Sequence, residues 1–277
     1  MVISLMANLP LGPYCTGTSL QACTDLTERV WRTYNDLVGP YRHAGDQSRE
    51  FLIIRMLYIA EITSTAVRLN ASWALTHAAM SLLRDRYEQT IRFSWLVRNP
   101  DQSQFAKYER SMFAKMNSIV RNMDPATRDR RVAEAGPLPA WATEPFTKDE
   151  KATLDEWGSL DLRSMAKKRD ALPPVADTLL AKESLASSYE AIYSQFSSVA
   201  HYDRFSIELL GIHDGPNGKP VLGTMPYWPT VLLVKNALFD LIQCSEAAQL
   251  CYKTDAAQIF QTLLVEWVGI SNEIVPR

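Results

Sequence analysis

The chain has 277 residues, with 29 basic and 31 acidic side chains, a formal net charge of −2 and 47% apolar residues. Enough apolar side chains are present to offset the entropy of ordering, which excludes a disordered chain, and the modest glycine and proline contents exclude a collagen-like one. The near-neutral charge gives no global field for nucleic acid or anionic lipid. The basic run Lys167-Lys168-Arg169 indicates a solvated helix face.

Apolar residues recur at steps of three and four along most of the chain, which predicts a series of amphipathic helices. The first four are expected at about 19–38, 48–70, 72–98 and 103–123, with Gly39-Pro40 and Asn99-Pro100 as stop signals. Prolines cluster between 124 and 151, where we expect a short helix at 127–135 and then an exposed connection. Later helices are expected at 161–170, 179–210, 229–252 and 254–269.

These patterns predict an all-α fold, a bundle of seven or eight amphipathic helices in a single domain over 1–277, with an N-terminal tail at 1–18. The Gly/Pro-rich composition of the loop at 212–226 allows a short hairpin there. Charged residues interrupt the apolar stretch Tyr227–Cys251, so we expect a core helix there and no membrane partner. The cysteines lack a C-x-x-C spacing, which favours reduced thiols and a cytoplasmic location; they are Cys15, Cys23, Cys244 and Cys251.

Motifs that carry a known chemistry are absent from the sequence. It contains no G-x-x-x-x-G-K-[ST], G-x-G-x-x-G, G-x-S-x-G or H-E-x-x-H. The histidines are too widely spaced for a local metal motif, and the paired E-x-x-H motifs of di-iron bundles are missing. We therefore expect no metal and no cofactor.

One polar row lies in the third predicted helix. Arg84, Glu88 and Arg92 are spaced four residues apart, so they share one helix face. Leu83 and Ile91 flank the row with apolar surface, which makes a partly buried site one interpretation. A solvated ladder of salt bridges is the alternative.

A second polar set lies near the end of the predicted helix 179–210. Ser197 and His201 are one helical turn apart, and an imidazole titrates near neutral pH, so His201 is a candidate acid or base. A structural histidine is the alternative. The candidate catalytic residues are His201, Arg84, Glu88 and Ser197, and the candidate ligand-binding residues are Arg204, Asp203 and Arg92.

The elements over about 74–210, taken in chain order, resemble a bacterial helical family named domain of unknown function 5677. The resemblance rests on Leu82-Leu83-Arg84 with Glu88, the Asn99-Pro100 stop, Trp157, Arg163-Ser164-Met165-Ala166, and a Tyr-rich helix ending in Ser197 and His201. It implies a helical fold and no established activity. A looser similarity to HEPN-type helical domains implies RNA or a nucleotide as ligand, a homodimer, and proton transfer by His201. No arginine stands at 194–196, so Arg84 is the candidate for the cation.

Three functions are open at this point. The first is a helical interaction or ligand-sensing protein with an internal Arg/Glu/Ser/His cluster. The second is a HEPN-like RNA-binding or RNA-cleaving protein of bacterial defence or stress. The third is a small-molecule enzyme whose pocket lies between helices and is lined by the abundant aromatic residues.

Overall fold

The computed structural model describes residues 18–39, 47–73, 75–101, 103–108, 111, 119–120, 122–136, 148, 161–174, 176–189, 192–193, 210–214, 220–224 and 228–274. Over these ranges the fold is all-α with one short hairpin. Its contacts divide the chain into two compact units, one of residues 99–164 and one of residues 1–98 and 165–277. The single domain over 1–277 stays a prediction, because a compact unit need not fold independently.

The elements follow the predicted order. They are α1 (Thr18–Val38), α2 (Gln47–Ser72), α3 (Thr76–Arg98), α4 (Pro125–Ala135), α5 (Leu162–Asp170), a 3₁₀ turn (Leu180–Lys182), β1 (Leu210–Asp214), β2 (Pro220–Thr224), α6 (Trp228–Glu246), a π-helical turn (Ala247–Cys251) and α7 (Ala257–Ile274). Several boundaries differ from expectation. Helix α2 continues to Ser72, so α3 begins at Thr76; α6 ends at Glu246, where the π-helical turn follows; and α7 continues past Gly269. Of the helix expected at 103–123, residues 103–108, 111 and 119–120 are helical and most others lie outside the described residues.

Helix α6 is the centre of the larger unit. It packs against α1, α2, α3 and α7, and every residue from Asn236 to Ala248 is buried. A helix that is covered on most sides has no single solvent-facing polar side, which explains its weak amphipathicity. The core helix expected within 227–251 is therefore confirmed.

Across the described helices, none is long and apolar enough to cross a membrane.

Helix α4 in the smaller unit is defined by local sequence rules. The Asp124 carboxylate accepts a hydrogen bond from the Thr127 backbone N–H at 2.9 Å, and Pro125 occupies the first turn. At the other end, Gly136 has a φ of 83° and donates its N–H to the Val132 carbonyl. The short helix expected at 127–135 is confirmed, whereas most of the expected connection that follows it lies outside the described residues.

The long helix expected at 179–210 is wrong at both ends: residues 180–182 form a 3₁₀ turn, residues 185–188 form turns, and Leu210 begins a strand. Between them, Tyr189 is α-helical and Ile192 and Tyr193 are π-helical. Before Tyr189 the local backbone hydrogen bonds are mostly those of turns, and several backbone groups bond to distant side chains. Asp170 accepts the N–H groups of Leu185 and Ala186 at 3.2 and 2.8 Å, and Arg98 donates to the Ala181 carbonyl at 2.7 Å. Such long-range partners compete with helical hydrogen bonds.

The short hairpin that the Gly/Pro-rich loop allows is present in the structure. Strands β1 and β2 pair antiparallel, from Leu210 opposite Thr224 to Asp214 opposite Pro220. No disulfide joins the cysteines of the described part: Cys23 and Cys244 are buried and Cys251 is half-buried, as expected for small core residues. Cys15 lies outside the described residues.

Candidate functional site: a buried polar seam

Arg84 contacts the segment that precedes the candidate histidine. Its Nη2 donates to the Tyr193 hydroxyl at 3.1 Å, and its guanidinium carbon lies 4.9 Å from the centroid of the Tyr193 ring. Tyr193 stacks on Tyr189 with 5.0 Å between ring centroids. The hydrogen bond to Tyr193 raises the pKa of Arg84. Arg84 and the two tyrosines therefore form a half-buried stack, which we call the Arg–Tyr platform.

Glu88 and Arg92 form an ion pair at the solvent boundary. The pair is 3.3 Å long, and the side chains are 27% and 42% exposed. A pair of this kind contributes about 0.3–0.5 kcal/mol. For Glu88 and Arg92 the structure thus fits the solvated alternative better than the buried one.

The remaining candidate residues are not described by the structure. They are Ser197, His201, Asp203 and Arg204. The proposed cluster of arginine, glutamate, serine and histidine therefore stays a prediction.

Arg86, on the same stretch of α3, is the charge that enters the bundle. Its Nη2 donates to Asp240 Oδ1 of α6 at 2.8 Å, and both side chains are 0% exposed. The second carboxylate oxygen of Asp240 accepts from the Ser64 hydroxyl of α2 at 2.6 Å. Asn236 donates its amide to the same hydroxyl at 2.8 Å. Three helices thus meet at one buried ion pair.

Burial sets the electrostatics of this pair. It raises the pKa of Asp240, because removal from water disfavours the charged carboxylate, and the Arg86 charge opposes that shift. The same burial raises the pKa of the neighbouring Cys244 thiol. The Arg86–Asp240 attraction and the added hydrogen bonds are what keep a charged carboxylate tolerable in the core.

Glu246, at the end of α6, holds two further arginines. Its Oε1 accepts from Arg98 Nε and Arg169 Nη2, each at 2.7 Å, and all three side chains are at most 4% exposed. Arg169 Nε also donates to the Ser94 hydroxyl of α3 at 2.7 Å. Burial lowers the pKa of Arg98, and the Glu246 charge opposes this. Glu246 therefore ties α3, α5 and α6 together.

The solvated face expected at residues 167–169 is wrong for Arg169. Lys167 and Lys168 are exposed, whereas Arg169 is 1% exposed. Successive helical residues point about 100° apart, so a run of three charges cannot share one environment on a helix that is covered on one side. The buried carboxylate of Glu246 provides the partner that Arg169 needs there.

These groups form two buried clusters, one at Asp240 and one at Glu246, that together we call the buried polar seam. Its members are Arg86, Thr90, Ser94 and Arg98 of α3, Asn236, Asp240, Gln243 and Glu246 of α6, with Ser64 of α2 and Arg169 of α5. The sequence does carry a signal for it. On α3 the polar residues fall at every fourth position, and on α6 they fall at steps of four, three and three within an apolar run. The α6 charges also argue against a membrane span, and that interpretation alone does not predict the seam.

The seam is closed to solutes, because its charged side chains are at most 4% exposed.

A separate cleft lies between α1 and α2 and is lined by residues that include Trp31, Tyr34 and Tyr58. Its volume is about 20 Å³, which holds a water molecule but is far below the roughly 300 Å³ of a ligand pocket. In the described part, no three His, Cys, Asp or Glu side chains group as metal ligands would.

Comparison of the chain with known protein families, with functionally curated proteins and with solved structures found no match. The resemblance to the family of unknown function and to HEPN-type domains therefore stays a prediction.

Proposed function

We propose that the chain is a non-catalytic helical protein that acts by interaction or ligand sensing, with the seam serving to fix how its helices pack. One observation carries the proposal. The buried charges compensate one another inside the bundle, as Arg86 does with Asp240 and as Glu246 does with its two arginines. Charges that are paired with each other and closed to solvent are not available to a substrate, whereas a buried network of paired charges does specify one arrangement of helices.

The sign of the stability change in an Asp240→Asn variant tests this role. Asparagine keeps an acceptor for Arg86 but removes the compensating charge, so we expect the free energy of unfolding to fall by about 2–4 kcal/mol. That loss corresponds to a melting temperature several degrees lower, measured by calorimetry. Charged residues kept for a reaction usually cost stability, so neutralising a catalytic acid would raise the melting temperature.

Asp36→Asn on the exposed side of α1 is the matched control, since it removes the same charge from a solvated position. We expect the control to change stability by no more than about 0.5 kcal/mol. An Asp240→Asn variant that melts at or above the wild-type temperature would contradict a structural role for the seam.

The Arg–Tyr platform favours RNA binding as a second candidate function. Arginine and tyrosine planes stack on nucleobases, and Arg84 adds a positive charge beside two rings. The two tyrosines of the platform lie on the chain shortly before Ser197 and His201, two of the candidate catalytic residues of the HEPN-like interpretation. This candidate joins the platform as a binding surface to His201 as the proton-moving group.

A fluorescently labelled single-stranded RNA tests the second candidate. We expect Tyr193→Ala to weaken binding by roughly tenfold or more, because stacking on one ring contributes about 1–3 kcal/mol. Tyr193→Phe keeps the ring and serves as the control. His201→Ala is expected to leave binding intact and to abolish cleavage, measured on a denaturing gel. RNA that stays unbound, or that binds Tyr193→Ala as tightly as wild type, would argue against this function.

A further inference from the structure

The outer side of α2 carries a strip of exposed apolar residues. Because successive helical residues point about 100° apart, the six members of the strip fall within one sector of about 100°. They are Tyr58, Ile59, Ile62, Ala66, Leu69 and Trp73. Tyr58, Ile59 and Trp73 are 47%, 47% and 50% exposed, and the other three are partly exposed. Trp73 keeps the helical register, because its N–H donates to the Leu69 carbonyl at 3.1 Å. We call these six residues the outer strip of α2.

No charged side chain interrupts the outer strip. The charged residues of α2 beyond Arg55 are Glu61 and Arg68. Both lie on the side that faces α1, where Arg68 pairs with Glu28 at 3.0 Å and Glu61 lines the cleft. The side of α2 that packs against α3 and α6 is apolar as well. A helix that is apolar around so much of its circumference is normally covered there, so we expect the outer strip to have a cover.

Helix α1 begins at the end of the bundle where the outer strip ends. The ion pair of Glu28 with Arg68 and the cleft shared by Tyr34 and Tyr58 show that α1 and α2 run antiparallel. The first residue of α1 therefore lies towards the C-terminal end of α2, which carries Trp73. Tyr58 belongs to both the cleft and the outer strip, so the strip borders α1 directly.

We propose that residues 1–11, a segment outside the described residues, fold back along α2 and cover the outer strip. Most residues of this segment are apolar, and no charged side chain precedes Asp25, so the segment matches the uncharged strip. The strip is about 22 Å long at 1.5 Å per residue, a length that about seven extended residues span. The intervening Gly12-Pro13 and Gly17 suit the change of direction that the fold-back needs. This inference does not depend on the proposed function.

Limited proteolysis with thermolysin, which cuts beside apolar residues, tests this cover. A docked segment is cut only after it detaches, so the cutting rate within residues 1–11 follows the population of the detached state. Ile59→Glu places a carboxylate beneath the cover, so we expect cutting at least about tenfold faster than in wild type, followed by mass spectrometry. Ile59 is 47% exposed, so this variant should melt like wild type.

Val265→Glu is the matched control, since Val265 is 62% exposed on α7 and the change adds the same charge away from the outer strip. It is expected to be cut at the wild-type rate. Segment 1–11 cut as fast in wild type as in Ile59→Glu would overturn the proposal.

Deletion of residues 2–11 gives a second measurement that does not depend on a strip variant. We expect hydroxyl-radical oxidation of Trp73 to increase in the deletion variant, because the indole loses its cover. Oxidation of Trp73 that the deletion leaves unchanged overturns the proposal. Protection of Trp73 that is lost on dilution of the full chain also overturns it, since that result assigns the outer strip to a second copy.

Discussion

Glu246→Ala is expected to be the most damaging single substitution in the seam, lowering the free energy of unfolding by about 4–5 kcal/mol or preventing folding. The reason lies in the number of charges that it leaves without a partner. Arg98 and Arg169 both donate to one oxygen of Glu246, and both are nearly inaccessible to water. Alanine leaves two guanidinium groups buried; among the described residues, Arg169 keeps its ion pair with the partly exposed Asp170, and Arg98 keeps its hydrogen bond to the Ala181 carbonyl.

Urea unfolding followed by circular dichroism measures this loss, and two further variants make the result interpretable. Glu246→Gln keeps a hydrogen-bond acceptor without the charge, so its free energy of unfolding is expected to fall by about 2–3 kcal/mol. It should remain folded even where Glu246→Ala does not fold. Glu266→Ala is the matched control, because Glu266 pairs with one arginine at the surface and should cost at most about 1 kcal/mol. Equal losses for Glu246→Ala and Glu266→Ala would show that the buried centre does not hold the helices together.

Helix positions were predictable where local sequence determines them. The α4 cap by Asp124 and the stop at Gly136 are both encoded within a few residues of the helix, and the apolar periodicity of α1 needs no distant partner. The turns after Leu179 were not predictable in this way. Their backbone groups bond to Asp170 and Arg98, so the competing partners lie elsewhere in the sequence.

In the candidate site, too, the spacing within one helix predicts local contacts but not contacts with other helices. The four-residue spacing correctly places Arg92 within reach of Glu88, but it does not say which face of α3 is covered. Arg86 lies two residues from Arg84 and is fully buried, because α6 presents Asp240 on that side. A charge on a helix is thus placed by its partner on another helix, and a single helix pattern cannot supply that partner.

Arg86→Met is expected to make stability fall with rising pH more steeply than it does in the wild-type chain. Without Arg86, the Asp240 carboxyl loses the charge that opposes its raised pKa, so its folded pKa lies further above the unfolded value of about 3.9. A carboxyl of this kind is neutral in the folded chain at low pH and costs nothing there. The cost begins above the unfolded pKa and grows as pH rises towards the folded pKa.

The free-energy gap between wild type and Arg86→Met should therefore be small near pH 4 and reach about 3–5 kcal/mol near pH 8. Urea unfolding at several pH values measures that gap, and other titrating groups cancel because both proteins contain them. The double variant Arg86→Met/Asp240→Leu is the control. It removes both charges, so its gap from wild type should be small and nearly constant with pH. A gap that is equally large at pH 4 and pH 8 would mean that the loss comes from packing around Arg86 and not from an uncompensated Asp240.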